Sequence, residues 1–329
     1  MERQRVLISA RSFGRVCAGP LERLRQAGLE VVEVREGKGD DRTEFLAALE
    51  RADAVIVGTR PVTAEVLAHA PRLRVIAKHG VGVDNIDLAA ATGRGIAVVS
   101  TPGANDQSVA DLAFGLLLAV ARRIPEADRS MKEDEWRRFT GRGVWGKRLA
   151  VIGMGRIGQG VAMRAKGFGM EVSGYDLRWP EEFARTQGIR YEPWPDILRE
   201  ADYVSLHVPL SEETVNLVGR AELALMKPGA VLVNTARGRI VDEMALYEAL
   251  TSGRLAGAGI DVWEEEPPLG NPLVKLPNVV ATPHAGAHTY EAAQLMGNMV
   301  VEGILDVLAG RRPANLVNAE VWSDERQEG

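Results

Sequence analysis

The chain has a single cysteine, Cys17, among its 329 residues. An intrachain disulfide and a one-chain thiolate metal cluster are therefore excluded. Histidine is also scarce: the five residues are scattered without a His-Glu-x-x-His pair, so no metal is expected. Charge of one sign is lacking, since 40 basic residues face 45 acidic ones for a net −5, with no long like-charge block. The electrostatic footprint of a nucleic-acid binder is thus missing, and an anionic ligand must be gripped locally. No uncharged apolar run reaches the ~18 residues of a membrane-spanning helix. The charged N-terminus runs directly into a strand pattern, Val-Leu-Ile-Ser-Ala, instead of a signal peptide. Neither nucleic acid nor membrane is expected as a partner, and the cytoplasm is the expected setting. Tandem repeats and low-complexity tracts are absent, and the polar stretch 323–329 is expected to be a disordered tail.

What is present is ordinary globular material, 46% apolar and 26% charged, with length enough for about two domains at ~150 residues each. Short β-branched runs at 6–10, 29–34, 54–58, 75–77 and 97–99 alternate with amphipathic stretches such as 42–51 and 63–68. A second series of strand-like runs follows at 149–152, 171–175, 203–206, 231–234, 257–261 and 279–281. This rhythm predicts an α/β protein of two doubly wound, Rossmann-like parallel-sheet domains with a cleft between them. The apolar segment 106–122 and the pattern 289–308 read as long helices able to cross between domains. The position of the second, after the last strand, implies a discontinuous first domain.

Gly153-Met154-Gly155-Arg156-Ile157-Gly158 follows the strand pattern Arg-Leu-Ala-Val-Ile and opens a helix pattern. In that context Gly153 permits a tight turn, Gly155 a close approach of backbone to pyrophosphate, and Gly158 close packing of helix on strand. Asp176 ends the next strand, 23 residues after Gly153, where a carboxylate accepts the adenosine ribose hydroxyls. A negative charge there repels a 2′-phosphate, so NAD is expected over NADP, although Arg178 stands two residues on.

Three further segments lie at strand ends, where ligands of open α/β sheets gather. They are Asn234-Thr235-Ala236-Arg237-Gly238, the run from Asp261 through Glu264, Glu265 and Glu266 to Pro267, and Thr282-Pro283-His284-Ala285-Gly286. Together with Gly80-Val81-Gly82-Val83-Asp84-Asn85-Ile86-Asp87 and His207-Val208-Pro209-Leu210, they resemble the D-2-hydroxyacid dehydrogenase family, in particular its 3-phosphoglycerate dehydrogenase branch. The resemblance extends to about Asn318. It implies a substrate domain of residues 1–100 plus 290–318, a cofactor domain of 101–289, a tail of 319–329, and a homodimer. It further implies that the backbone around Val81 and Gly82 binds the substrate carboxylate and that Asp261 binds the nicotinamide amide. Cofactor contacts implied in the same way are Arg156, Ile157, Val208, Thr214, Thr235, Ala236 and the turn from His284 to Gly286.

The chemistry also follows from residue types. Reducing a 2-oxo acid needs a fixed cation for orientation, a proton donor at the carbonyl oxygen and a dry hydride path. Arg237 suits the first task through its planar fork, and His284 the second because an ordinary histidine titrates near ~6.5. Glu266 would hold the imidazole and stabilise its protonated form. An acidic run is commonly a solvated face, and only the place of Glu266 before Pro267 selects it over Glu264 and Glu265. His69, His79 and His288 read as structural or surface residues, and His207 as a pocket or packing residue. Trp136 and Trp145 read as core or interface anchors.

In the phosphoglycerate branch, an Arg-Ser pair after the third strand helps hold the distal phosphate. Here the stretch is Val57-Gly58-Thr59-Arg60-Pro61, with the arginine displaced. Lys78, just before the glycine turn, adds a cation where an anionic substrate would sit, as in relatives that oxidise phosphite. Glyoxylate or hydroxypyruvate reductase is the neighbouring alternative, and an NAD-sensing binding protein similar to transcriptional corepressors is the rival from another class. With the sequence ending soon after Asn318, no regulatory amino-acid-binding domain, and hence no feedback by serine through one, is expected.

Overall fold

The computed structural model describes residues 3–36 and 42–322, so the expected tail at 323–329 lies outside the described residues. The chain divides into two compact units, one of Met1–Asn105 with Ala287–Gly329 and the other of Asp106–Gly286.

In the first unit, β1 (Arg5–Ile8), β2 (Glu30–Glu33), β3 (Ala54–Val57), β4 (Val75–Lys78) and β5 (Ala97–Val99) form a parallel sheet in the order β2-β1-β3-β4-β5. Every residue of β3, β4 and β5 is buried, which is why β3, β5 and β4 up to Ala77 read as continuous apolar runs with no alternation. Alternate side chains feed two cores: Leu7, Val55 and Ile76 join Phe45, Leu49 and Leu67, while Ile8, Ile56 and Val75 join Phe13, Val300 and Ile304. The last two residues belong to the helix Tyr290–Leu308, which packs on β4 and β5. Its start is set by Thr289, whose hydroxyl accepts the Ala292 amide at 3.2 Å. The return of this helix makes the first unit discontinuous. Beyond it, Asn318 accepts the Val98 amide at 2.7 Å and donates to the Ile96 carbonyl at 2.9 Å. Ala319–Trp322 then form a short 3₁₀ turn, with Val321 buried and Trp322 against the core. Ordered chain thus continues past Asn318, because two apolar residues there find the sheet.

His79, just after β4, is buried with Nδ1 3.0 Å from the Ser12 hydroxyl and its ring edge-on to Phe13. Burial, then the charges of His288, Lys78 and Arg35, outweigh the raising effect of the Ala293 backbone as acceptor and hold its pKa down at about 4. The folded chain therefore keeps this ring neutral where the unfolded chain protonates it. Its stabilising contribution is complete above the ordinary 6.5 and is lost as pH falls toward 4, by about 2 kcal/mol at pH 5. His79→Asn should consequently lose less stability than the parent between pH 7 and pH 5 in urea unfolding; equal losses would show that His79 is not a source of acid sensitivity.

The second unit holds β6 (Arg148–Ile152), β7 (Glu171–Tyr175), β8 (Arg190–Tyr191), β9 (Tyr203–Leu206), β10 (Ala230–Asn234), β11 (Leu255–Ile260) and β12 (Val279–Ala281). They run parallel in the order β12-β11-β10-β9-β6-β7-β8. β8 is not anticipated by the sequence reading; it is a two-residue exposed edge without an apolar run. The helix Asp106–Arg122 packs on β10, β11 and the helix Arg156–Gly167, so it belongs to this unit and is not a crossing element. Strand order reverses between β6 and β9, the switch point where open α/β sheets take their ligands.

Candidate active site

β6 runs into Gly153, whose φ of +94° lies in the left-handed region. A Cβ there would stand 2.6 Å from the His207 carbonyl carbon, so glycine is what lets the two strand ends approach at the switch point. Gly155 caps the helix Arg156–Gly167 without a side-chain hydrogen bond, and a Cβ on it would meet nothing within 4 Å. No side chain caps the first turn and the space at Gly155 is open, as a pyrophosphate requires. At Gly158 a Cβ would overlap the Gly153 carbonyl oxygen, which explains the third glycine. Arg156 is 69% exposed beside this turn, 4.0 Å from Asp106, while Ile157 packs into the core.

Asp176 follows β7, with one carboxylate oxygen accepting the Met154 amide at 2.6 Å and the other the Arg178 amide at 2.8 Å. It thus braces the glycine turn and retains lone pairs for two hydroxyls. The Thr235 hydroxyl, after β10, is buried without a hydrogen-bond partner among the described residues. An uncapped helix start, a carboxylate ending β7 and an orphaned buried hydroxyl together fit a dinucleotide. Val208 packs partly into the core, whereas Thr214 shapes its own loop, donating to the Pro209 carbonyl at 2.7 Å and accepting the Ser211 amide at 2.7 Å.

Farther along the same edge of the sheet, the buried Asn234 organises the loop that carries Arg237. Its side chain accepts the Ala236 amide at 3.0 Å and donates to the Arg237 carbonyl at 2.8 Å. The Arg237 guanidinium donates to the Ala236 carbonyl at 2.7 Å. Gly238 is pressed against the next loop: a Cβ on it would overlap the backbone of Trp263 and Glu264. That loop delivers Glu266, which accepts the Trp263 amide at 3.2 Å and His284 Nδ1 at 2.8 Å. A carboxylate facing Nδ1 assigns that nitrogen the proton, leaving Nε2 for exchange with a substrate. Burial pushes the Glu266 carboxyl upward, but the hydrogen bond and charge of His284, the Trp263 amide and the Arg237 charge outweigh it, so it lies below its ordinary 4.5. Arg237, Glu266 and His284 are thereby brought together. Glu264 instead donates its amide to Glu243, which also holds Asn271.

His284 is one of four non-glycine residues with positive φ among the described residues, at +52°. The sequence reading assigns Asp261 and Gly286 to the cofactor. In the structure Asp261 is 1% exposed and accepts three donors from its own chain: the Thr282 hydroxyl at 2.6 Å, the Ala285 amide at 2.7 Å and the Gly286 amide at 2.9 Å.

In the first unit, the buried Lys78 donates to the Gly58 carbonyl and to Asn85 Oδ1, each at 2.6 Å. Asn85 in turn donates to the Gly58 and Arg60 carbonyls, so the loops after β3 and β4 are tied together. Val81, 38% exposed, and Gly82 follow this tie. Arg60 turns onto its own unit, with Nε 2.6 Å from the Ser9 hydroxyl and the guanidinium 4.2 Å above the Phe45 ring. His207 is held 2.8 Å from the Ser205 hydroxyl, and burial depresses its pKa to about 3, which keeps the ring neutral. Trp136 and Trp145 are 77% and 82% exposed, so neither is a core anchor. Sequence reasoning quotes Asn234 and Asn85 within motifs but gives them no role, and it misses Glu243; the partners of all three are settled only by folding. Among the described residues, no cluster suited to a metal ion occurs and no helix is long and apolar enough to cross a membrane.

Strand order and site define the class first: this is a doubly wound dinucleotide-binding protein with a histidine-carboxylate pair and an arginine at the strand ends. The sequence profile described as "D-isomer specific 2-hydroxyacid dehydrogenase, NAD binding domain" matches residues 114–286. The chain belongs to the D-isomer-specific 2-hydroxyacid dehydrogenase family. It is 48% identical over 294 residues to a D-3-phosphoglycerate dehydrogenase of Methanocaldococcus jannaschii, covering 88% of this chain and 56% of that protein. It is 49% identical over 270 residues to a glyoxylate reductase of Korarchaeum cryptofilum, covering 80% of this chain and 81% of that protein. The crystal structure of the TT0316 protein from Thermus thermophilus superposes with a TM-score of 0.86 at 42% identity, over 95% of this chain and 100% of that one. The chain spans only about half the length of the phosphoglycerate dehydrogenases it matches.

Proposed function

We propose that this protein is an NAD-linked oxidoreductase that interconverts a small D-2-hydroxy acid and its 2-oxo acid. The observation that carries the reading is the His284 ring held on Glu266 beside the charge of Arg237, on the sheet edge that bears the glycine turn. Bound NAD supplies the acceptor or donor of the hydride. Arg237 pairs with the substrate carboxylate and polarises the carbonyl. His284 Nε2 gives its proton to the carbonyl oxygen in reduction and takes the hydroxyl proton in oxidation, while Glu266 balances the imidazolium charge. Gly153, Gly155, Arg156, Gly158 and Thr235 hold the dinucleotide, with Asp176 on the ribose. The unit of residues 106–286 is the NAD domain and the other the substrate domain, where Lys78 stiffens the loop whose Val81 and Gly82 amides take the carboxylate.

Relatives named for both phosphoglycerate and glyoxylate leave the acid to be chosen by experiment. Arg60, engaged by Ser9 and Phe45, favours small unphosphorylated acids as the first members of a panel. The exposed apolar residues Ile124, Met131, Trp136 and Trp145 support a homodimer, to be checked by sedimentation, and a single cysteine suits a cytoplasmic setting.

Turnover across 2-oxo and 2-hydroxy acids, with glyoxylate, hydroxypyruvate, D-glycerate, 3-phosphoglycerate and phosphite, tests the reading. Flat activity alongside tight NAD binding would make the chain an NAD-responsive binding protein instead. In the same assay Asp176 should favour NAD over NADP by at least about tenfold in kcat/KM, about 1.4 kcal/mol, and equal use of both would remove it from the ribose.

A further inference from the structure

A histidine that transfers protons must present one nitrogen at a fixed point, yet the backbone of His284 occupies a left-handed conformation that is uncommon for any residue with a side chain. Something outside the residue has to impose that turn. The His284 amide donates to the Asp261 carbonyl at 2.8 Å, and the next two amides, of Ala285 and Gly286, donate to the two carboxylate oxygens of the same residue. The Thr282 hydroxyl, two residues before His284, donates to Oδ1 as well. One aspartate thus gathers donors from both sides of the histidine. Its own amide donates to the Asn234 carbonyl at 3.0 Å, which anchors the assembly to β10 and to the residue that sets the Arg237 loop.

We infer that Asp261 is a positioning residue, whose carboxylate holds the turn that aims His284. A carboxylate suits this task because it is all acceptor: four donors arrive from residues 282–286, three of them at its side chain. An asparagine would turn an amide group toward either Gly286 or the pair from Thr282 and Ala285, setting donor against donor in a site that is 1% exposed. A direct contact with the nicotinamide amide would make the different demand that the main loss appear in cofactor affinity.

The inference rests on the proposed acid-base role of His284, and a double-variant cycle separates the two. Asp261→Asn should lower kcat at least thirtyfold in the parent but less than threefold in a His284→Asn background, with the Kd for NADH changed less than threefold in both. Hydrogen exchange of the Ala285 and Gly286 amides in the unliganded protein should speed up at least tenfold. A full loss repeated in the His284→Asn background, a tenfold weaker NADH complex with kcat retained, or unaltered exchange would each overturn the positioning role. An inert His284→Asn substitution would overturn the functional reading, leaving the exchange result to judge the turn. Should Asp261→Asn fail to fold, Thr282→Val removes one donor from the same carboxylate; a fewfold fall in kcat confined to the His284 background supports the inference, and no fall overturns it.

Discussion

Replacing His284 with asparagine is expected to lower kcat in both directions by about 10²–10⁴-fold, the usual contribution of a positioned proton-transfer group. Asparagine is the informative choice because it adopts left-handed backbone more readily than most residues, so the φ of +52° at this position is retained without new strain. Its side-chain amide can still donate to Glu266, but it has no acid or base that titrates near neutral pH. NADH affinity and thermal midpoint should stay close to the parent's, isolating the chemical step. Steady-state kinetics with the best acid of the panel, paired with NADH titration, checks this. A kcat within threefold of the parent would return His284 to a structural role.

Arg237→Lys should cost about 10²–10³-fold in kcat/KM, with KM raised and kcat lowered together. The guanidinium fork can pair with a carboxylate and a carbonyl at once while keeping its bond to the Ala236 carbonyl. An ammonium has the same charge but is a point, and cannot keep all three partners. A change confined to KM would mean that Arg237 only gathers substrate. Near-normal kinetics would make it a surface ion-pair residue.

Much of this was legible from residue patterns because the determinants are local. The start of the helix Tyr290–Leu308 is announced by Thr289, and the strands β3 to β5 by apolar runs broken only by Lys78 at the end of β4. The glycine turn was readable since each glycine answers a separate steric demand. β8 was not, because two exposed residues paired through Ser173 and Gly174 carry no periodicity. Glu266 is singled out in the sequence only by its place before Pro267; the physical reason emerges once the loop closes, Glu243 drawing off the Glu264 amide while the Trp263 amide donates to Glu266. Asp261 illustrates the deeper limit. Its character as a buried hub depends on partners 21 to 25 residues away, and no spacing rule distinguishes a carboxylate that meets a ligand from one that meets its own backbone.

The missing side chain at Gly238 bears on how such a protein can be remade. With no room for even a methyl group between this position and the peptide joining Trp263 to Glu264, the strip around Arg237 and the strip leading to Glu266 cannot be varied as separate modules. A library that diversifies Gly238 while freezing the facing strip will be populated mainly by clashes. Grafting a new preference for substrate onto this scaffold calls for both strips to be transplanted from one donor, as a matched pair.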